Sequence, residues 1–304
     1  MPTVPMRQTG RERFKGNASR HDPGENSAVK TTREPRGVRR VVVLTREDET
    51  TALLVHALTP RCDEVITIVE EPESRLATAR RRARRIGRVR VAGQLVFAAL
   101  VVPLLRRRAR ARVTSILASA DSEAAPVTVR RVESVNAPAT LELLRLLDPA
   151  VVVVLGTRII ASTVLEGVGC PFVNLHAGIT PRYRGMHGAY WALSERRADL
   201  VGTTVHLVDR GIDTGQVLGR AYFRVEPEDS IVTYPYLNLV EGLPVLADQV
   251  ARLLDGGPPC AGTSPVVTGA AADPAAELTA GDSRLWSHPT LWGYLGRRLI
   301  SGLR

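Results

Sequence analysis

Cysteine is scarce in this chain: Cys62, Cys170 and Cys260 are the three in 304 residues. None forms a Cys-x-x-Cys pair, so neither a disulfide framework nor a structural zinc site is expected, no metal is expected, and a reducing cytoplasm fits. The apolar stretch 91–105 contains Gly93, Gln94 and Pro103. It falls short of the roughly 20 apolar residues of a comfortable transmembrane helix. The first residues lack the apolar core of a signal peptide; 1–38 is polar and reads as a disordered tail. No Gly-x-Ser-x-Gly elbow is present, and in sequence no cysteine sits directly beside the polar trio described below, so no nucleophile of the protein's own is evident. Acidic residues are missing from the window between Arg75 and Arg112, which holds thirteen arginines. The formal charge of +10 is therefore local, and the rest of the chain is mildly acidic.

The pattern that is present alternates short apolar runs with helical stretches. Strands are predicted over 40–45, 64–69, 127–132, 151–155 and 170–173, with a helix over 49–58. One or two helices are expected within 72–113, a basic and apolar insertion. Asn136 is a candidate N-cap for a helix with Pro138 in its first turn, ending near Asp148. Alternation of this kind predicts an α/β fold, a mostly parallel sheet with helices on both faces. Later, 201–208 and 216–225 predict an antiparallel hairpin, followed by a helix over 229–254 bent by Pro235 and Pro244. The organisation read from this pattern is a tail at 1–38, a catalytic domain at 39–255 and a C-terminal extension at 256–304 with a short terminal helix.

Asn174 and His176 end one buried run. On an extended segment they project to the same side while Leu175 turns into the protein. Open α/β sheets place their ligands where strands leave the sheet. Imidazole exchanges protons near neutral pH, its ordinary pKa being about 6.5. The Asn174 amide can donate to a developing oxyanion. Asp213, in a loop bracketed by Gly211 and Gly215, can bring a carboxylate to the imidazole. Base, oxyanion donor and orienting carboxylate, without a protein nucleophile, suit a reaction in which the substrate supplies the nucleophile, such as acyl transfer to an amine.

The strings N-L-H-A-G-I-T-P-R-Y-R-G-M-H-G-A-Y-W-A-L from Asn174 and G-T-T-V-H-L-V-D-R-G-I-D-T-G-Q-V-L from Gly202 closely resemble the folate-dependent formyltransferase family. The resemblance covers roughly 127–225, with weaker support back to Val41. It implies a Rossmann-like formyltransferase fold, 10-formyltetrahydrofolate as formyl donor, and catalytic roles for Asn174, His176 and Asp213. It implies a pterin pocket lined by Gly156, Thr157, Arg158, Ile159 and Ile160, and by Asp209, Gly211 and Ile212. His187, His206 and Arg184 are candidates for acceptor contact or support, and Thr180-Pro181 for a cis bond.

The sequence also departs from that family. Arg46, Glu47, Asp48 and Glu49 stand where a glycine-rich phosphate loop follows the first strand in the purine-pathway enzyme, which disfavours glycinamide ribonucleotide as acceptor. Ala177-Gly178-Ile179-Thr180 replaces Pro-Ser-Leu-Leu, and the region after Val225 does not alternate like the five-stranded barrel of the methionyl-tRNA enzyme. The expectation is formyl transfer to an amine of a small metabolite or nucleotide-linked sugar. Its rivals are a formyltetrahydrofolate deformylase, the two named transferases, and a membrane or nucleic-acid binding relative. The arginine block is a candidate contact for an anionic membrane surface or RNA, which would make the protein peripheral to the membrane.

Overall fold

The β-branched runs set the architecture. In the computed structural model, which describes residues 38–46, 50–120, 128–257 and 266–301, strands β1 (Arg40–Thr45) and β4 (Val151–Leu155) lie side by side in parallel at the centre of the main sheet. Both are buried on both faces, which is why each reads as a continuous apolar run. Val41, Val43, Val151 and Val153 face one core cluster with Leu54 and Leu246; Val42, Leu44, Val152 and Val154 face another with Leu144 and Val164.

Around them the chain adds β2 (Glu64–Glu70), β3 (Val129–Val132), β5 (Phe172–His176), β7 (Gly202–Leu207), β8 (Val217–Tyr222) and β9 (Val266–Thr268). The eight-stranded order is β3-β2-β1-β4-β5-β7-β8-β9. Only β7 runs antiparallel to its neighbours, so the late hairpin β7–β8 sits inside an otherwise parallel, Rossmann-like sheet. The order reverses between β1 and β4, the crevice where such folds hold ligands. A two-stranded sheet pairs β6 (Arg184–Gly185) with β10 (Leu285–Trp286).

Helices α1 (Thr51–Leu58) and α8 (Tyr234–Leu254) cover one face, and α5 (Pro138–Leu147) and α6 (Ser162–Gly167) the other. α7 (Gly188–Ser194) and α9 (Leu291–Ser301) enclose a third, aromatic cluster that includes Tyr183, Tyr190, Trp191 and Tyr294.

Several sequence expectations need correction. Asn136 is not the N-cap of α5; Ala137 holds that place, and the Asn136 side chain bonds the Ile159 carbonyl (2.9 Å) and the Ala161 N–H (2.7 Å). α8 starts at Tyr234 rather than near residue 229, because Asp229 and Ser230 form the preceding turn. The insertion does not end at 113. After α2 (Arg75–Ile86) and a break at Gly87, α3 (Arg88–Val96) continues through a π turn (Phe97–Val101) into α4 (Val102–Ala118), one helix of 31 residues. The wider turn falls just before Pro103, whose ring and missing N–H would disrupt a regular ladder. The extension after 256 is also built into the fold, through β9 against β8, β10 against β6 and α9 against α3. One unit spans Glu34–Arg304. Apart from Val38 the predicted tail lies outside the described residues, as do Glu47, Asp48, Glu49 and Cys260.

Candidate active site

β5 delivers two polar side chains to one wall. Asn174 and His176 continue the face begun by Phe172, while Leu175 packs into the opposite cluster beside α8. His176 is buried, and its Nε2 donates to the Tyr183 carbonyl at 2.8 Å. A carbonyl only accepts, so Nε2 carries the hydrogen and Nδ1 is the atom left to titrate. Nδ1 lies 3.4 Å from Asp213 Oδ2. Burial pushes the His176 pKa below its ordinary value, against the opposing pull of the Asp213 charge and the Tyr183 carbonyl.

The same argument fixes His206, on β7 opposite Asn174. Its Nδ1 donates to the Leu207 carbonyl at 2.7 Å, so in the neutral ring Nε2 accepts from the Asn174 amide at 3.1 Å. That bond orients the amide and leaves its second N–H for a ligand. Asp213 Oδ1 is 3.7 Å from His206 Nε2. Burial opposes ionisation of Asp213, but His206, His176 and the Gly185 N–H outweigh it and hold the carboxyl at about 2. The Gly185 N–H donates to Asp213 Oδ2 at 2.8 Å.

Close backbone approaches position these groups. A Cβ on Gly178 would lie 2.5 Å from the Tyr183 carbonyl oxygen and 3.0 Å from His176 Nε2, so only glycine lets the loop fold back onto the imidazole. Thr180-Pro181 is cis. Gly185 has φ +90°, and a side chain there would strike the Trp286 carbonyl at 2.3 Å. Arg184 Nη1 donates to the Ile212 carbonyl at 3.0 Å, clamping the loop that carries Asp213. Arg184 therefore supports the aspartate loop.

The two loops assigned to a pterin flank this wall. Ile160 from one and Val208, at the root of the other, pack on the same apolar cluster beneath Phe172. Asp209 accepts from the Gly211 N–H (3.0 Å) and the Thr214 hydroxyl (2.7 Å), which closes its turn. Gly156 has φ +69° and begins the first loop. Thr157 Oγ1 donates to the Arg158 carbonyl at 2.9 Å. Ile159 is exposed. The Arg158 guanidinium pairs with buried Glu70 and donates to the Glu71 and Glu133 carbonyls at 3.2 and 3.3 Å. Its backbone N–H also donates to Glu70, at 3.1 Å, so the residue braces the loop.

Sequence reasoning missed a second polar line. Arg82 Nη2 lies 3.2 Å from His288 Nε2, and His288 Nδ1 lies 2.9 Å from His187 Nε2. Arginine has no acceptor, so the line runs from Arg82 to His288, whose Nδ1 donates onward to His187 Nε2. Burial, with Arg82 adding to it, holds His288 down at about 4; burial and both neighbours hold His187 at about 3. All three border a cavity of about 520 Å3 whose walls include Thr50, Val91, Phe97, Ile231 and Tyr236. His187 stands two residues beyond Gly185, so this cavity meets the segment that holds Asp213. No spacing in the sequence joins His288 to His187; a fold across 101 residues does.

Residues 39–236 match the profile of a formyl transferase domain. The chain belongs to the formyl transferase family. Among curated proteins it is 33% identical over 134 residues to the methionyl-tRNA formyltransferase of Caldanaerobacter subterraneus subsp. tengcongensis, 43% of this chain and 42% of that one. It is 30% identical over 171 residues to that of Solibacter usitatus, 54% and 53% of the two chains. The chain thus spans about half or less of the length of these relatives. Glycinamide ribonucleotide transformylase 1 from Symbiobacterium toebii shares 18% identity at TM-score 0.47, over 73% of this chain and 90% of that one. A sugar N-formyltransferase from Shewanella sp FDAARGOS_354 shares 13% at TM-score 0.43, over 75% of each.

Proposed function

We propose that this formyl transferase family member moves a formyl group from 10-formyltetrahydrofolate to the primary amine of a small metabolite or nucleotide-linked sugar. The observation that carries the reading is the coupled wall: an Asn174 amide locked by His206 with one N–H free, beside a His176–Asp213 pair. The residues present fit the folate in that Ile160, Val208 and Phe172 form one apolar cluster at the roots of both loops, beside the Asn174 amide. When bound, the folate would supply the formyl carbon that the amine attacks, and its own nitrogen would leave with a proton as the old carbon–nitrogen bond breaks.

The free Asn174 N–H is placed to donate to the oxyanion that develops on that carbonyl. The proton shed by the amine needs a base. His176 is neutral at neutral pH, and its Nδ1 faces ionised Asp213, which favours the imidazolium once it forms. Both ring nitrogens of His176 are turned to protein groups, so the proton enters and leaves at the Asp213 edge, directly or through a water. A mostly apolar cavity beside His187 supports the amine side, since an apolar wall disfavours ammonium and keeps the nucleophile neutral.

The relatives' names favour a second acceptor, methionyl-tRNA, and the arginine block offers phosphate contacts for it. The test is release of tetrahydrofolate in the presence of a panel of small amines, with methionyl-tRNA as one arm and no amine as another. Amine-dependent release is expected, and His176→Ala and Asp213→Asn are expected to abolish it while the protein, followed by thermal unfolding, stays folded. Full turnover in either variant overturns the mechanism. Equal formate release without amine identifies a deformylase.

A further inference from the structure

The 31-residue helix 88–118 is long and apolar enough to cross a membrane by length and composition, yet the protein holds it along its side. Its inner face, including Phe97, Leu105, Ala109 and Ile116, is buried. Gln94 donates to the His288 carbonyl at 2.7 Å, and Arg112 grips Asp229 with contacts of 2.9 and 3.0 Å. A helix fastened in this way lies at an interface rather than through one.

Its outer face is apolar in the middle and basic at both ends. Val89, Val96, Leu100 and Leu104 are exposed and recur at helical spacing along one stripe. Exposed Arg84, Arg85 and Arg88 stand before the stripe, and exposed Arg107, Arg108 and Arg110 after it. Among the described residues none of these six forms an ion pair, whereas Arg81 and Arg112 do. α9 widens the stripe: the Trp292 indole lies on Gly93, where a Cβ would come within 2.2 Å of it. Val89 and Val96, at i−4 and i+3 from Gly93, therefore flank the indole. Trp292, Leu295 and Leu299 are themselves exposed, Leu299 at 86%. Leu95, next to Val96, is both 53% exposed and part of the cavity wall, as is exposed Arg106, so the cavity reaches the side of the helix beside this stripe.

An apolar band between clusters of free guanidinium groups matches the two layers of an anionic lipid surface: acyl chains for the band, phosphates for the arginines. An RNA would use the arginines and leave the leucines in water, with little aromatic surface for its bases. We propose that this face seats the protein on an anionic membrane surface, with the mouth of the cavity at the lipid boundary. The contact stands on the surface itself. Its use, delivery of acceptor from the membrane, rests on the formyl-transfer reading.

The full chain is mixed with vesicles of phosphatidylcholine alone or with roughly a third phosphatidylglycerol, at low and high salt. The expected result is co-sedimentation with the anionic vesicles, weakened by salt, and a blue shift of tryptophan emission that Trp292→Phe removes. The double variant Leu100→Glu, Leu104→Glu is expected to lose about tenfold or more of vesicle affinity. Arg107→Glu with Arg108→Glu should weaken binding mainly at low salt, and thermal unfolding shows that both variants fold. None of these four residues walls the cavity, so transfer to a soluble amine should persist in both. Absence of anionic-vesicle binding by the folded wild type overturns the proposal, whether or not the chain binds tRNA. Undiminished vesicle binding by Leu100→Glu, Leu104→Glu does the same. Vesicle binding without amine-dependent turnover would instead leave the membrane contact standing and remove the formyl-transfer reading.

Discussion

Hydrogen bonds that admit one tautomer assign the work of each residue in the wall. In the mechanism proposed above His206 positions Asn174, because its Nε2 holds the Asn174 amide and its Nδ1 is committed to the Leu207 carbonyl. His206→Phe should lower kcat by about 10- to 1000-fold, the range of a misplaced oxyanion donor, with KM for folate little changed. Steady-state kinetics separates this from a packing defect, which would move KM and the unfolding midpoint together. The His176 titration is a second check. Burial lowers its pKa, so transfer should hold down to about pH 6.5 and fall only below it. Because the Asp213 charge opposes that lowering, Asp213→Asn should move the His176 midpoint, followed by NMR, still lower. Asn174, His176 and Asp213 were legible because strand alternation and a glycine-bracketed loop show in sequence. The atom that titrates was not, since it depends on a backbone carbonyl seven residues away.

Among the elements, the helix 88–118 departs furthest from its sequence reading. Gly93 and Pro103 suggested interruption, but Gly93 makes room for Trp292 and a π turn absorbs Pro103. Both reasons lie in tertiary contacts that no local pattern carries. The strands fared otherwise: β1, β4 and the hairpin β7–β8 lie within a residue or a few of their apolar runs, because burial on two faces leaves an unbroken β-branched signature. The long helix is tied to the turn before α8 by Arg112 and Asp229, whose side chain is fully buried while Arg112 remains part-exposed. Arg112→Ala strands that carboxylate and should cost about 1–3 kcal/mol. Hydrogen exchange should show the loss mainly as faster exchange over residues 102–118, and uniform exchange would refute the local tie.

At the scale of the molecule, two half-buried neutral histidines make stability depend on pH with a definite sign. His187 at about 3 and His288 at about 4 both lie below the ordinary histidine value, so the unfolded chain binds more protons than the folded one between those values and about 6.5. Stability should therefore be full above about pH 6.5 and fall as pH drops through this window, by up to about 1.4 kcal/mol per unit for each ring. Denaturant titrations at pH 7 and 5 measure this, and His288→Gln should flatten the slope. The family match ends at residue 236, yet His288 and the Trp286 carbonyl belong to the chain beyond it. Part of the cavity wall is thus encoded apart from the wall that carries Asn174 and His176. The acceptor reading proposed above therefore predicts that a chimaera exchanging residues 287–301 for a relative's segment trades one amine for another, provided Leu285 and Trp286 are kept, because they pair with Arg184 and Gly185 beside Asp213.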